Sequence, residues 1–192
     1  VLTPASYISY NILAMIMCLA LIPLAVTLSK EPSLPKTKIF RPFLAYKISP
    51  LASLGVVTAG ISTSAFGSIA PLYAANLGMS SLEISYFLTA AVIGGIIVHP
   101  PAGLLADRFD RRSVMMFFSI LSTVVCLAIG SDLVEISGQG HGGSLLLALL
   151  FGVSTFPIYS LSAAHANDFA GPDDVLDLSA SLIFFYALGA II

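Results

Sequence analysis

Asp107, Arg108, Arg111 and Arg112 stand close together between two apolar runs, with Gly103 just ahead of them. These are ion-pairing groups. Asp107 offers a carboxylate to a helix amino end or to a nearby Arg, and the three guanidiniums can pair with carboxylates or lipid phosphates. His99 lies about two turns earlier, inside an apolar run and followed by Pro100 and Pro101. An ionisable side chain in such a run is a proton-coupling candidate; an imidazole can equally satisfy backbone carbonyls that the prolines free. A third group, His165, Asn167 and Asp168, follows another apolar run. Its spacing is poor for a metal, so it reads as a wet helix end and no metal site is expected. His141, in a glycine-rich stretch, offers still less.

The elements that must position these groups are set by composition. Hydrophobic residues make up 57% of the 192 residues and charged residues 9%, against roughly 25% charged in soluble domains. With a mean hydropathy of +0.98, the chain suits a bilayer better than water. Apolar runs cover about Tyr7 to Leu28, Pro50 to Ala75, Leu82 to Ala106, Val114 to Gly130, Ser144 to Ala164, and Leu178 to the end. Lipid offers no partner to backbone polar groups, and the runs lack the alternation of barrel strands, so about six membrane-spanning helices are expected. The expected class is all-α, a polytopic membrane helix bundle.

Ser49 before Pro50 makes a start signal for the second run. Ser80 and Glu83 form an S-x-x-E capping box, which assigns Glu83 to helix-start amides rather than to a ligand. Small residues four apart, Gly60 with Ser64, Ser64 with Ser68, and Ala90 with Gly94, favour close helix packing. Cys18 and Cys126 lie alone in apolar runs and read as small buried hydrophobes.

All eight Lys and Arg fall in two stretches, Lys30 to Lys47 and Arg108 to Arg112. That confinement speaks for topology and not for nucleic acid, since no basic face with interleaved aromatics is present. The positive-inside rule places residues 30–49 and 106–113 in the cytoplasm. The connections near 76–81 and 131–143 carry no Lys or Arg and belong outside. The connection 165–177 is acidic, which weighs little in the rule. Residues 30–49, with Pro32, Pro35 and Pro42, suit a linker between bundles; the part from Ile39 to Lys47 either lies along the membrane surface or is a solvated tether. The first residues show no signal peptide, and the last run is shorter than a full span. The chain therefore reads as part of something longer, with its last helix cut.

The stretch Gly103-Leu104-Leu105-Ala106-Asp107-Arg108-Phe109-Asp110-Arg111-Arg112 resembles the loop signature of the major facilitator superfamily, roughly G-x-L-A-D-R-x-G-R-R. Asp110 stands where that pattern has Gly. The family carries the signature in each half, the later copy less regular, and two runs precede the motif here, so the resemblance implies the second copy. It further implies part of a twelve-helix transporter: residues 1–29 the last helix of the amino-terminal bundle, 30–49 the central cytoplasmic linker, and 50–192 the carboxy-terminal bundle of five helices. Gly103 is then expected to pack closely on a neighbour, with Asp107, Arg108, Arg111 and Arg112 acting in a conformational switch. Thr63, Tyr73, Tyr86, Thr155 and Tyr159 become candidates for a substrate cavity, and His99 for proton coupling.

The expected function is secondary active transport of a small solute across a plasma membrane, bacterial inner membrane in type, by alternating access. Its partners are a small-molecule substrate, membrane lipids and the remainder of its own transporter chain. No P-loop, H-E-x-x-H, G-x-S-x-G or paired-cysteine motif occurs, so neither an enzyme nor a cofactor is expected. The rivals are a channel, which needs a polar helix face or filter loop, and an intramembrane enzyme holding metal through His99, His165 and Asp168.

Overall fold

A computed structural model of the chain describes residues 4–27, 41–131 and 142–191. Among these it forms eight helices and no strand: α1 (Pro4–Thr27), α2 (Leu44–Ile48), α3 (Pro50–Asn76), α4 (Ser81–Arg108), α5 (Arg111–Gly130), α6 (Gly142–Thr155), α7 (Pro157–Asn167) and α8 (Val175–Ile191). Both expected start signals operate. The Ser49 side chain accepts from the Ala52 N–H, with Pro50 in the first helical turn. Glu83 returns to the Ser80 N–H at 2.8 Å, closing the capping box.

Three boundaries differ from expectation. The motif is mostly helix: α4 runs to Arg108 and α5 starts at Arg111, leaving only Phe109 and Asp110 between them. The fifth apolar run is interrupted at Phe156, because Pro157 has no N–H to continue the ladder of α6. Within the basic linker, Leu44–Ile48 is a one-turn helix packed on α3 and α8 and not a solvated tether; residues 30–40 lie outside the described residues.

Four stretches are long and apolar enough to cross a membrane: α3, α4, α5, and α6 with α7 together. Tyr10–Pro23 of α1 and all of α8 are shorter apolar stretches. At about 1.5 Å per residue, the 17 residues of α8 reach about 25 Å, just under a hydrocarbon core of about 30 Å.

The chain divides into two units between residues 39 and 40. In the first, every described side chain of α1, from Tyr10 to Pro23, is exposed. The second holds α2 to α8 and packs inside out by the standard of a soluble domain. Ile96, Ile97, Ile120 and Leu127 face outward, while the interior is built largely from Ala, Ser and Gly. Lipid tails are as apolar as Leu, so membrane helices gain by close backbone packing and not by hiding large side chains. Cys126 follows the outward pattern, as does Cys18 in the first unit, contrary to the expectation of burial.

Two helix pairs carry this packing, α3 with α8 and α4 with α6. At Gly152 of α6 a Cβ would run into the Ala91 backbone of α4, and at Gly189 of α8 into the Val57 backbone of α3. Gly60 and Ser64 serve the α3–α8 seam as their spacing suggests, the Ser64 hydroxyl donating to the Ala190 carbonyl at 2.8 Å. Ser68 is exposed. The α2 turn is held by one side chain of α8: Ser181 Oγ donates to the Pro42 carbonyl at 2.6 Å and accepts from the Ala45 N–H at 2.9 Å.

Candidate functional site: an ion-paired turn and a hydroxyl-lined cavity

The short turn after α4 places Arg111 at the start of α5, where it meets two carboxylates. Its guanidinium lies 3.7 Å from Asp107, one turn back on α4. On its other side Nε stands 3.1 Å from Asp168 Oδ2, just past the end of α7. Arg111 is thus shared between the motif and a helix far away in sequence. Asp107 is 70% exposed and Asp168 44% exposed, so each pair contributes no more than about 0.2 to 1 kcal/mol. The shorter contact to the less exposed carboxylate is the stronger. Asp110 takes the N-cap position of α5 without a capping hydrogen bond; its charge still lies at the helix end that favours an anion.

The other motif residues sit apart from this network. Arg108 is exposed in the last turn of α4, and Arg112, also exposed, borders a cleft between α3 and α5 with Leu51, Leu54 and Met115. Gly103 does not pack on a neighbour among the described residues: a Cβ there would meet nothing within 4 Å. The interior-facing positions of that turn are Ala102 and Ala106, which turns Gly103 outward.

Midway along the bundle, Thr63 of α3, Thr155 of α6, Phe156, Tyr159 of α7 and Tyr186 of α8 line a cavity of about 340 Å³. This lies within the range of small-molecule sites. Thr155 is held by a 2.8 Å hydrogen bond with Ser122 of α5. The Tyr159 and Tyr186 rings meet edge to face, their centroids 5.4 Å apart. Phe156 fills the hollow left at Gly95 of α4 and contacts the Phe151 ring edge to face. The interruption at Phe156 therefore falls at the cavity wall.

Three of the five residues expected to line a cavity thus come together. Tyr73 lies more than two turns beyond Thr63 on α3, its ring near Phe87 and its hydroxyl 3.5 Å from the Ile129 carbonyl. Tyr86 is exposed in the early part of α4. His99 is exposed on α4, with Nδ1 in hydrogen-bond contact with the Gly95 carbonyl. Gly95 is one turn back, so the imidazole does not take up the carbonyls of Ile96 or Ile97 that Pro100 and Pro101 leave free. His165 is buried with its ring edge to face against Phe169, while Asp168 turns to Arg111. Among the described residues no three His, Cys, Asp or Glu side chains are grouped to hold a metal.

Sequence reasoning passed over Asp168 as the partner of the motif, and Phe156 and Tyr186 as cavity walls. The Phe156-Pro157 step was a legible sign of a break. Nothing local marked the other two.

Outward-facing bulky residues, an interior of small ones and four stretches long and apolar enough to cross a bilayer mark a helical membrane protein. The model of the Major Facilitator Superfamily matches residues 52–192, and the chain belongs to that superfamily. It is 24% identical over 177 residues to the uncharacterized MFS-type transporter YcaD of Escherichia fergusonii, covering 90% of this chain and 43% of the relative. It is 26% identical over 153 residues to an uncharacterized MFS-type transporter of Yersinia pestis, covering 78% of this chain and 37% of the relative. A third, from an Enterobacter strain, is 23% identical over 151 residues, 79% of this chain and 37% of the relative. The chain thus spans about two fifths of the length of these curated relatives. No solved structure matches it.

Proposed function

We propose that the chain forms the central linker and most of the carboxy-terminal bundle of a secondary carrier, which moves a small solute by alternating access across a bacterial inner membrane. In this reading residues 1–29 end the amino-terminal bundle, 30–49 link the bundles, and 50–192 form the second one. Residues 30–49 and the Asp107 to Arg112 turn face the cytoplasm, because every Lys and Arg lies there.

One observation carries the proposal. α7 is tied at one end to the motif through Asp168 and Arg111, and near its other end it presents Tyr159 to the cavity. A rigid element touching both sites can couple solute occupancy to the ion pairs, which is what a carrier requires of two discrete states. The structure supplies no comparable support for His99 as the coupling group, since it lies outside the cavity and bonds to its own helix.

The test is counterflow by the full-length transporter in liposomes. Saturable exchange that falls on Tyr159→Leu, and changes its inward-to-outward balance on Asp168→Asn, supports the reading. Non-saturating flux would make the protein a channel.

A further inference from the structure

The cavity wall has a chemistry specific enough to name a class of solute, an inference that rests on the carrier reading above. Among the described residues, no Asp, Glu, Lys, Arg or His lines it. Thr155 is occupied by Ser122, whereas the hydroxyls of Thr63, Tyr159 and Tyr186 make no hydrogen bond among the described residues. The Tyr159 and Tyr186 rings stand at 80° to one another, and Phe156 adds a third aromatic surface. Two rings set at right angles form a corner: a flat solute can stack on one face and take the edge of the other, the arrangements that ring quadrupoles favour.

We propose that the part of the solute seated against α3, α7 and α8 is an uncharged ring with a hydroxyl or carbonyl at its edge. An anion there would meet ring faces, which are negative, and no cation. A cation would be drawn to those faces, but among the described residues no carboxylate lines the cavity to help offset the cost of leaving water. An aliphatic polyol would satisfy the three hydroxyls and leave the aromatic corner unused, its many remaining polar groups facing carbon. A neutral ring with one polar edge matches both surfaces at once.

The full-length transporter in lipid nanodiscs is titrated calorimetrically with 4-hydroxybenzyl alcohol and tryptophol, and with carboxylate and trimethylammonium analogues of the same rings. The alcohols are expected to bind at least tenfold tighter than either charged analogue. Tyr159→Leu and Tyr186→Leu should each weaken the alcohols about three- to tenfold, and Tyr159→Phe and Thr63→Val should weaken them less. Matching elution and melting profiles show that the variants are folded. Tighter binding of a charged analogue that still depends on Tyr159 would overturn the solute class and leave the cavity as the seat. Binding that ignores Tyr159 and Tyr186, or none at all, would overturn the inference outright. The carrier reading falls with it only if counterflow of the transported solute also ignores both residues.

Discussion

Arg111 Nε sits 3.1 Å from Asp168 Oδ2, a contact that joins the first residue of α5 to the residue that closes α7. The pair turns a cluster of charges at a helix end into a strut between two helices. Asp107, the motif's own carboxylate, is the looser partner at 3.7 Å and is mostly exposed. In the proposed carrier, Asp168→Asn is therefore expected to shift the balance of inward-open and outward-open states more than Asp107→Asn does. Solvent screening limits the effect to about 0.5 to 1 kcal/mol, or about two- to fivefold in the state ratio. Cysteine accessibility on the cytoplasmic side, with the Arg111→Asp and Asp168→Arg exchange as a rescue, measures it. Equal labelling of Asp168→Asn and wild type would remove the strut from the mechanism.

Alanine at two glycines should act with opposite signs. Gly152→Ala drives a methyl into the Ala91 backbone and separates α4 from α6, costing about 1 to 3 kcal/mol. Gly103→Ala meets open space, and replacing a mid-helix glycine there is neutral or stabilising by about 0.5 to 1 kcal/mol. Thermal unfolding in detergent compares them; a Gly103→Ala loss as large as that of Gly152→Ala would show a packing partner at Gly103 in the intact protein.

Ser181→Ala leaves the Ala45 N–H and the Pro42 carbonyl without their partner, and Ala45 is fully buried. One buried group stranded this way costs about 1 to 3 kcal/mol. Hydrogen exchange at residues 44–48 should speed up accordingly while α4 and α6 keep their protection. Unchanged exchange at Ala45 would mean that packing alone holds α2.

Orientation can be read by labelling single cysteines at Ser33 and Gly138, both outside the described residues. Cys18 and Cys126 are exposed and must be replaced first. Ser33→Cys is expected to react only from the cytoplasmic side and Gly138→Cys only from outside. Reaction of both from outside would overturn the proposed topology.

What could be read from sequence was local. The Ser49 cap and the Ser80 and Glu83 box each depend on residues within one turn and took their expected forms; the fifth apolar run did not stay whole, being interrupted at Phe156. The Arg111 to Asp168 contact depends on α5 lying beside α7, which no neighbouring residue encodes. Tyr186 likewise resembles any tyrosine near a helix end until α8 docks on α3. Gly103 shows the converse error. A small residue permits close approach but does not say which face of the helix is approached. Burial of the cysteines failed for a related reason, because an apolar run in a membrane protein has as much lipid-facing surface as interior.

The hold of Ser181 on Pro42 also orders events during synthesis, because 139 positions separate the two residues. At about 5 to 20 residues per second, the ribosome needs roughly seven to thirty seconds to reach Ser181 after it has made Pro42. Throughout that interval the α2 turn has no α8 to dock on, and α3 has no partner along the seam that Gly189 makes possible. The growing chain must therefore pass through a stage in which the first helix of the bundle waits, half-packed, for the last one described.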